Sequence, residues 1–503
     1  MKKIQFTLIA VITFLVVSAQ QKNNTMIEVG DSEEDIIFKA ANIVPSPRQL
    51  RWQQLELIAF FHFGINTFKD KEWGTGKEDP TIFNPSSLDA RQWVQVVKDA
   101  GFKQVILTAK HHDGFCLWPT KTTRNSVASS PWKKGKGDVV NEVAEACREY
   151  GLGFGIYLSP WDMNTAVYGT EAYNDFFVAQ LTELLSDYGR IDEVWFDGAN
   201  GEGSNGKKQV YDFNRWYKLI RQLQPAAVIA VMGPDVRWVG TETGYGREEE
   251  WSVVSVDNLD PSTIESNSQQ TVSFKPTGDM MGDDLGSREK IVKAKGLAWY
   301  PAETDVSIRP GWFYHETENA KIKSPEKLID IYFNSVGKNS VLLLNIPPDK
   351  SGLIHSNDIT TLAKWKELLN EIFKINLAKF ATISCLNGIN TKALTDENLA
   401  TFFTTKNKDE GSVIEIDFKS PQLVNVISLQ ENISMGQRIE KFEVEALLNM
   451  KWKKIAAGTT VGYKRLIQCE TVHTKKIRLK IISSRLNPLL SEIGLYYTKK
   501  QFK

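Results

Sequence analysis

Asp197 is a carboxylate placed at the end of an apolar run. In Asp192-Glu193-Val194-Trp195-Phe196-Asp197-Gly198, the segment Val194–Phe196 predicts a short buried strand and Gly198-Ala199-Asn200-Gly201 its exit loop. An unpaired charge is costly to bury, so the place for Asp197 is the strand's C-terminal lip, facing a pocket. Other runs end in the same way. Leu57–Phe63 contains His62, Gln104–Lys110 leads into His111 and His112, and Phe154–Leu158 carries Tyr157. Strands whose C-terminal ends carry polar or aromatic side chains form the active-site face of a (β/α)8 barrel.

A catalytic Asp197 needs a partner. Glycoside hydrolysis uses two carboxyl groups across the scissile bond, one as nucleophile or base and one as acid. The candidates are Glu242, Glu248, Glu249, Glu250 and Glu303. Glu242 lies among aromatics and glycines in Arg237–Gly244, where an apolar wall would raise the pKa of an acid. Glu248–Glu250 is an acidic run and is expected to be solvated. Glu303 follows a candidate seventh strand, Leu297–Ala302, and is free either to contact substrate or to pair with Arg309. Trp195 precedes Asp197 by two residues, so both point to one side of the strand. Trp312 lies in an aromatic loop and is placed at the cleft. A zinc site built from His62, His111 and Asp197 is the metal alternative, but no supporting pattern accompanies it, and no metal or cofactor is called for.

The elements that must position these groups follow from periodicity. Helical patterns at Leu88–Ala100, Val139–Tyr150, Glu171–Tyr188, Tyr211–Gln224 and Asp358–Phe373 alternate with strand-like runs at Val105–Ala109, Phe154–Leu158, Val194–Phe196, Val228–Met232 and Ser340–Ile346. That rhythm predicts βαβ units, a parallel sheet and an α/β fold of the TIM-barrel type over residues 45–375. The stretch Gly233–Ala298 is poorly periodic, so the sixth strand has no clear position. After Ala378 the texture changes to alternating, β-branched runs about a dozen residues apart, which predicts an all-β sandwich over residues 378–499.

The chain has 503 residues, with 61 basic and 61 acidic side chains. A net charge of zero gives no reason to expect a nucleic-acid partner. Residues 1–19 have the form of a signal peptide: Lys2-Lys3, an apolar stretch to Val17, and the small-residue site Val17-Ser18-Ala19. The apolar stretch is shorter than the roughly 20 residues of a membrane span. An exported protein, periplasmic or extracellular, is therefore expected, with residues 20–44 as a loose lead-in and no span after cleavage. Cys116 and Cys147 lie in apolar contexts. Cys385 and Cys469 could pair in an oxidising compartment.

An ordered set of segments carries a resemblance. Phe61-His62-Phe63-Gly64-Ile65-Asn66-Thr67-Phe68, Glu72-Trp73-Gly74, Lys110-His111-His112-Asp113-Gly114-Phe115-Cys116-Leu117-Trp118, Tyr157-Leu158-Ser159-Pro160-Trp161, Trp195-Phe196-Asp197-Gly198, Val336-Gly337-Lys338-Asn339 and Leu342-Leu343-Leu344-Asn345 resemble glycoside hydrolase family 29, the α-L-fucosidases. The resemblance covers the whole barrel. It implies a retaining mechanism with Asp197 as nucleophile, and a fucose held by His62, Glu72, Trp73, His111, His112, Tyr157 and Trp195. Arg237–Glu242 and Ser307–Tyr314 resemble the branch acting on α-1,3/1,4-linked fucose, which implies Glu242 as acid/base; some relatives have Asn-Glu where this chain has Thr241-Glu242. The C-terminal region looks like a discoidin-type, galactose-binding-like sandwich. The implied partner is a fucosylated oligosaccharide. Another exo-glycosidase on the same barrel, or a catalytically silent sugar-binding protein, are the alternatives.

Overall fold

The computed structural model describes residues 22–256, 283–406 and 412–500. The expected signal segment, and part of the poorly periodic stretch, lie outside the described residues. Eight parallel strands form one sheet: β1 Leu57–Phe61, β2 Gln104–Lys110, β3 Gly153–Leu158, β4 Glu193–Phe196, β5 Val228–Val231, β6 Arg237–Trp238, β7 Ala302–Ser307 and β8 Ser340–Asn345. Their order is β5-β4-β3-β2-β1-β8-β7-β6. The ends meet where Ala230 and Val236 form a parallel bridge and the Val231 N–H donates to the Val236 carbonyl at 3.1 Å. The sheet thus closes into a barrel.

Helices cover most of the outside: α1 Ala90–Ala100, α2 Val139–Tyr150, α3 Ala172–Asp187, α4 Phe213–Leu223, α5 Pro325–Asn334 and α6 Ser356–Ile372. Their ends are specified locally. Asp89, Asp138, Asp212 and Ser324 each cap free N–H groups of the first turn, and Gly101 and Gly151 close α1 and α2 in the left-handed conformation. Strand alternation divides the core in two. Ile58, Phe60, Ile106, Trp195, Val228 and Leu343 fill the barrel, whereas Phe61, Leu107, Ile156, Phe196 and Leu344 pack outward against Trp93, Leu181, Trp216 and Trp365.

The barrel departs from a uniform alternation on one side. Only Met232–Val236 joins β5 to β6, because Val236 pairs near the end of β5 and the chain needs no return to the far side. Val231 turns this corner at φ 65°, a strained conformation for a β-branched residue. Between β6 and β7 the chain builds a three-stranded antiparallel sheet in which Gly296–Trp299 lies between Asn24–Met26 and Val253–Val256. The run Leu297–Ala302 is therefore not the seventh barrel strand. Its first residues, to Trp299, belong to this side sheet, and the barrel strand starts at its last residue, Ala302. The lead-in is not loose either. Asn24–Met26 pairs with that sheet, and Glu33–Ala41 is a helix opened by a Ser32–Asp35 capping box.

The C-terminal domain is built on Ala381–Ser384, Ser412–Glu431, Ile439–Leu448, Lys451–Gly458, Arg465–Ser484 and Leu490–Tyr496. Runs that look separate in sequence are single long strands with register breaks, as between Asp417 and Gln422. Cys385 and Cys469 are not bonded to each other, and Cys116 and Cys147 are buried thiols.

The Glu248–Glu250 run is not solvated as a block. Glu250 is 1% exposed and pairs with the buried guanidinium of Arg237 and with Arg247 at 3.3 Å. The Glu250 N–H donates to Thr460 Oγ1 at 3.2 Å, and its carbonyl accepts from Gln437 at 3.1 Å and Asn339 at 3.0 Å. Glu248 pairs with Arg465 and Lys338. Glu250 is an internal joint between barrel and sandwich, because the cations of Arg237 and the adjacent Arg247 offset the burial of its charge.

Candidate active site

Alternation along β4 turns Glu193, Trp195 and Asp197 inward. Asp197 emerges at the C-terminal lip with 18% of its side chain exposed. Its Oδ2 accepts the Tyr157 hydroxyl and lies 3.5 Å from His112 Nε2, and its Oδ1 accepts the Ala199 N–H at 3.1 Å. Tyr157 pairs in register with Trp195 on the neighbouring strand, so both rings lie beside the carboxylate. Burial and the Asp197 charge push the Tyr157 phenol well above its usual range, so it remains a hydrogen-bond donor.

The histidine tautomers follow from their partners. The Asn345 amide nitrogen donates to the Trp312 carbonyl at 2.8 Å, so its oxygen faces His62 Nδ1 at 2.9 Å. His62 Nδ1 therefore carries the proton and Nε2 keeps its lone pair. Burial pushes His62 down to about 3, so the ring is neutral. Ser159 Oγ donates to the Trp161 carbonyl at 2.8 Å and accepts from His112 Nδ1 at 2.8 Å, which again leaves Nε2 as an acceptor. Burial lowers His112, partly offset by Asp197, and holds His111 well below its usual value. Two neutral imidazoles thus present lone pairs suited to hydroxyl protons of a bound sugar.

Glu72 is held from the opposite wall. It accepts the Trp312 and Phe313 N–H groups at 2.8 and 3.1 Å and His315 Nε2 at 2.6 Å. It does not pair with Lys69 or Lys71. Burial opposes charge on His315, but its hydrogen bonds to Asp70 and Glu72 outweigh this and raise its pKa. Trp73 is 59% exposed and meets His112 and Trp161 edge-on. Glu242 is exposed at the mouth, 3.3 Å from Trp312 Nε1. Its loop is tied to β7, since the Val239 N–H donates to the Glu303 carbonyl and the Gly244 N–H to the Asp305 carbonyl.

All ten side chains expected at the site line one cavity of about 240 Å³, and Phe60 and Asp305 complete its wall. Asp305 went unseen in the sequence because the seventh strand was misplaced. With β7 at Ala302–Ser307, Asp305 falls on the inner face near the lip, bound by Trp238 Nε1 at 2.7 Å. Burial, with the charge of Glu242 behind it, pushes Asp305 up to about 7. His315, just past the aromatic loop, was also missed. Glu303 is deep in the barrel and accepts Trp195 Nε1 at 2.8 Å; Arg309 pairs with Asp358 instead. Trp118 is buried against Glu183, whereas the Trp161 ring meets that of His112, which lines the cavity, at 5.0 Å in a tilted contact. His62, His111 and Asp197 form no metal-holding group.

A closed barrel whose C-terminal lip gathers carboxylates, acceptor imidazoles and aromatic walls around a sugar-sized cavity is the architecture of a glycoside hydrolase. The family model described as Alpha-L-fucosidase matches residues 49–371, and that described as NedA-like, galactose-binding domain matches residues 393–479. Alpha-L-fucosidase 1 of Arabidopsis thaliana is 45% identical over 468 residues, covering 91% of this chain and 88% of that protein. The crystal structure of a putative alpha-L-fucosidase from Bacteroides ovatus is 50% identical with a TM-score of 0.84, covering 95% of this chain and 78% of that one. A Ruminococcus gnavus fucosidase of glycoside hydrolase family 29, solved in complex with fucose, is 33% identical with a TM-score of 0.79, covering 91% and 95%. The chain belongs to the α-L-fucosidases of glycoside hydrolase family 29.

Proposed function

We propose that the enzyme hydrolyses terminal α-L-fucosides with retention of configuration, with Asp197 as nucleophile and Glu242 as acid/base. The observation that carries this reading is that the two carboxyls line the same small cavity, with Asp197 at the strand lip and Glu242 at the mouth. In the first step an Asp197 oxygen bonds to the anomeric carbon. The bond to the leaving oxygen breaks, and that oxygen takes the proton of Glu242. In the second, Glu242 removes a proton from water, the water oxygen attacks the anomeric carbon, and the ester to Asp197 breaks. Two inversions give net retention. Tyr157 holds Asp197 in line while the neutral His62 and His112 accept sugar hydroxyls. Trp73 and Trp312 offer apolar faces at the rim.

The same reading extends to linkage. Trp312 and Glu242 sit together at the mouth, where the second sugar of a branched glycan would contact them. Binding of that sugar orders the Glu242 loop, which favours α-1,3/1,4-linked fucose over α-1,2-linked fucose. Residues 1–19 support export to the periplasm or medium, and mass spectrometry of the mature N-terminus tests it. Proton NMR of the first-formed fucose tests the mechanism. The α-anomer is expected, and a first-formed β-anomer overturns double displacement. Azide added to Asp197→Ala is expected to yield the inverted β-fucosyl azide.

A further inference from the structure

The loop that follows β7 is held to the facing rim of the cavity by one imidazole. His315 Nε2 lies 2.6 Å from Glu72 Oε1, and its Nδ1 lies 2.7 Å from Asp70 Oδ1. An ionised carboxylate only accepts hydrogen bonds, so a ring that meets one at each nitrogen must carry both protons. His315 is therefore an imidazolium, unlike the neutral His62 and His112 of the same site. Its bond to Asp70 in turn lowers the pKa of that carboxyl. The charges around the ring are Asp70, Glu72 and Glu318. Lys71 and Lys350 act on Asp70, and Arg309 approaches only the His315 carbonyl, at 3.5 Å.

The group so held is Glu72, which lines the cavity. Its Oε1 accepts the Phe313 N–H as well as His315, whereas Oε2 accepts the Trp312 N–H alone. A carboxylate oxygen has two lone pairs, so Oε2 keeps one acceptor position for a sugar hydroxyl. Gly311 lets these groups close up. A Cβ there would fall 2.5 Å from Glu72 Oε1 and 2.9 Å from His315 Cδ2. The loop is also tied to the barrel, since Ser307 Oγ donates to the Gly311 carbonyl at 2.6 Å and the Asn345 amide to the Trp312 carbonyl at 2.8 Å. Trp312 then brings its indole N–H to 3.3 Å from Glu242.

From this arrangement we infer that His315 is a positioning residue, a charged clamp between Asp70 and Glu72 that holds the Glu72 carboxylate and the Trp312 loop in the geometry that binds fucose. This role rests on the proposed contact of Glu72 with the sugar. Its consequence is a pH limit on binding. Burial opposes charge on the ring, but the bonds to both carboxylates outweigh it and raise the pKa above the ordinary 6.5. The clamp is complete below that raised value and opens as pH climbs through it. A neutral imidazole has one N–H, so it turns a lone pair toward the other carboxylate. Fucose is uncharged, and its own ionisation adds nothing to the change.

The test measures the affinity of the full-length enzyme for L-fucose by isothermal calorimetry from about pH 5 to 9, with the His315 ring followed by NMR. Wild type is expected to lose about tenfold in affinity, the scale of one charge-assisted hydrogen bond, over the range in which the ring titrates. Asp70→Asn keeps an acceptor for Nδ1 but removes a charge, so the ring titration and the loss of affinity should move together to lower pH. His315→Gln should bind about tenfold more weakly at the acid end and lose the pH dependence. Asp70 is 51% exposed, so Asp70→Asn carries the test even if His315→Gln does not fold. The clamp is overturned if wild-type affinity does not change with pH, if titration and affinity do not move together in Asp70→Asn, or if His315→Gln binds as wild type does. Glu72→Ala separates this from the site itself and should bind fucose weakly at every pH. If it binds as wild type does, the sugar contact of Glu72 fails and the clamp with it. Weak binding by Glu72→Ala, with Asp70→Asn and His315→Gln unaltered, overturns the clamp alone.

Discussion

Strand β4 carries carboxyl groups at both of its ends, in opposite surroundings. At the lower end Glu193 is sealed inside the barrel, accepting Trp52 Nε1 at 3.0 Å and Gln104 Nε2 at 2.6 Å. Its neighbour Glu303 accepts Trp195 Nε1, and each of the two keeps one oxygen without a partner. Burial raises Glu193 to about 8 and Glu303 well above its usual range, with Glu193 adding to the latter. At the upper end Asp197 has donors on both oxygens and an opening to solvent. The same alternation produces both groups. Access to water and donors separates the two: one carboxyl is sealed and pushed toward its protonated form, and the other, proposed above as the nucleophile, opens at the lip.

That comparison is broken first at its upper end. Asp197→Asn is expected to lower kcat on any fucoside at least about 10³-fold with the fold unchanged, because the covalent pathway is lost. A variant that keeps a tenth of wild-type turnover would remove the nucleophile assignment. Glu242→Gln should cost about 10²–10⁴-fold on a fucosylated oligosaccharide and far less on an aryl fucoside with a good leaving group. Equal losses on the two substrates would move the acid role elsewhere, with Asp305 the neighbouring carboxyl.

The lower end gives smaller effects of a different kind. Glu303→Ala leaves the Trp195 N–H buried without an acceptor and should cost about 1–3 kcal/mol, read by denaturant unfolding. Glu193→Gln sharpens the contrast through pH. The folded pKa of Glu193, about 8, lies above its ordinary 4.5, so its stabilising contribution is complete below about 4.5 and is lost as pH rises through 8. Wild-type Tm should therefore decline over that window more steeply than the Tm of Glu193→Gln. Parallel curves would show that the Glu193 carboxyl is ionised in the native state.

The sequence was most legible where chemistry and periodicity agreed. Val194–Phe196 is uniformly apolar and ends in a charge, so its strand and lip were apparent, and α1, α2 and α4 carry acidic caps and clear apolar faces. β7 was hidden because Ala302–Ser307 turns Glu303, Asp305 and Ser307 to the barrel interior with Thr304 between them, where a buried strand is expected to be apolar. β6 has only two residues, too few for any period. Glu250 looked solvated because Arg237, the buried cation that pairs with it beside the adjacent Arg247, is matched to it only in space. The separate runs of the sandwich are bulged long strands, whose breaks imitate turns.

The joint around Glu250 has a consequence for how the enzyme could be shortened. The loop bearing Glu242 begins at Arg237 and ends at Glu250, and those two residues are bound to each other. Arg247 also donates to the Val239 carbonyl at 3.0 Å, cross-bracing the loop at its base. Thr460 and Gln437, both from the sandwich, hold Glu250 at the far end of that brace. The C-terminal domain is thus masonry: it is the outer abutment of an arch whose keystone is Glu242, the proposed proton donor. A chain cut after the barrel would be a catalytic domain with one footing removed.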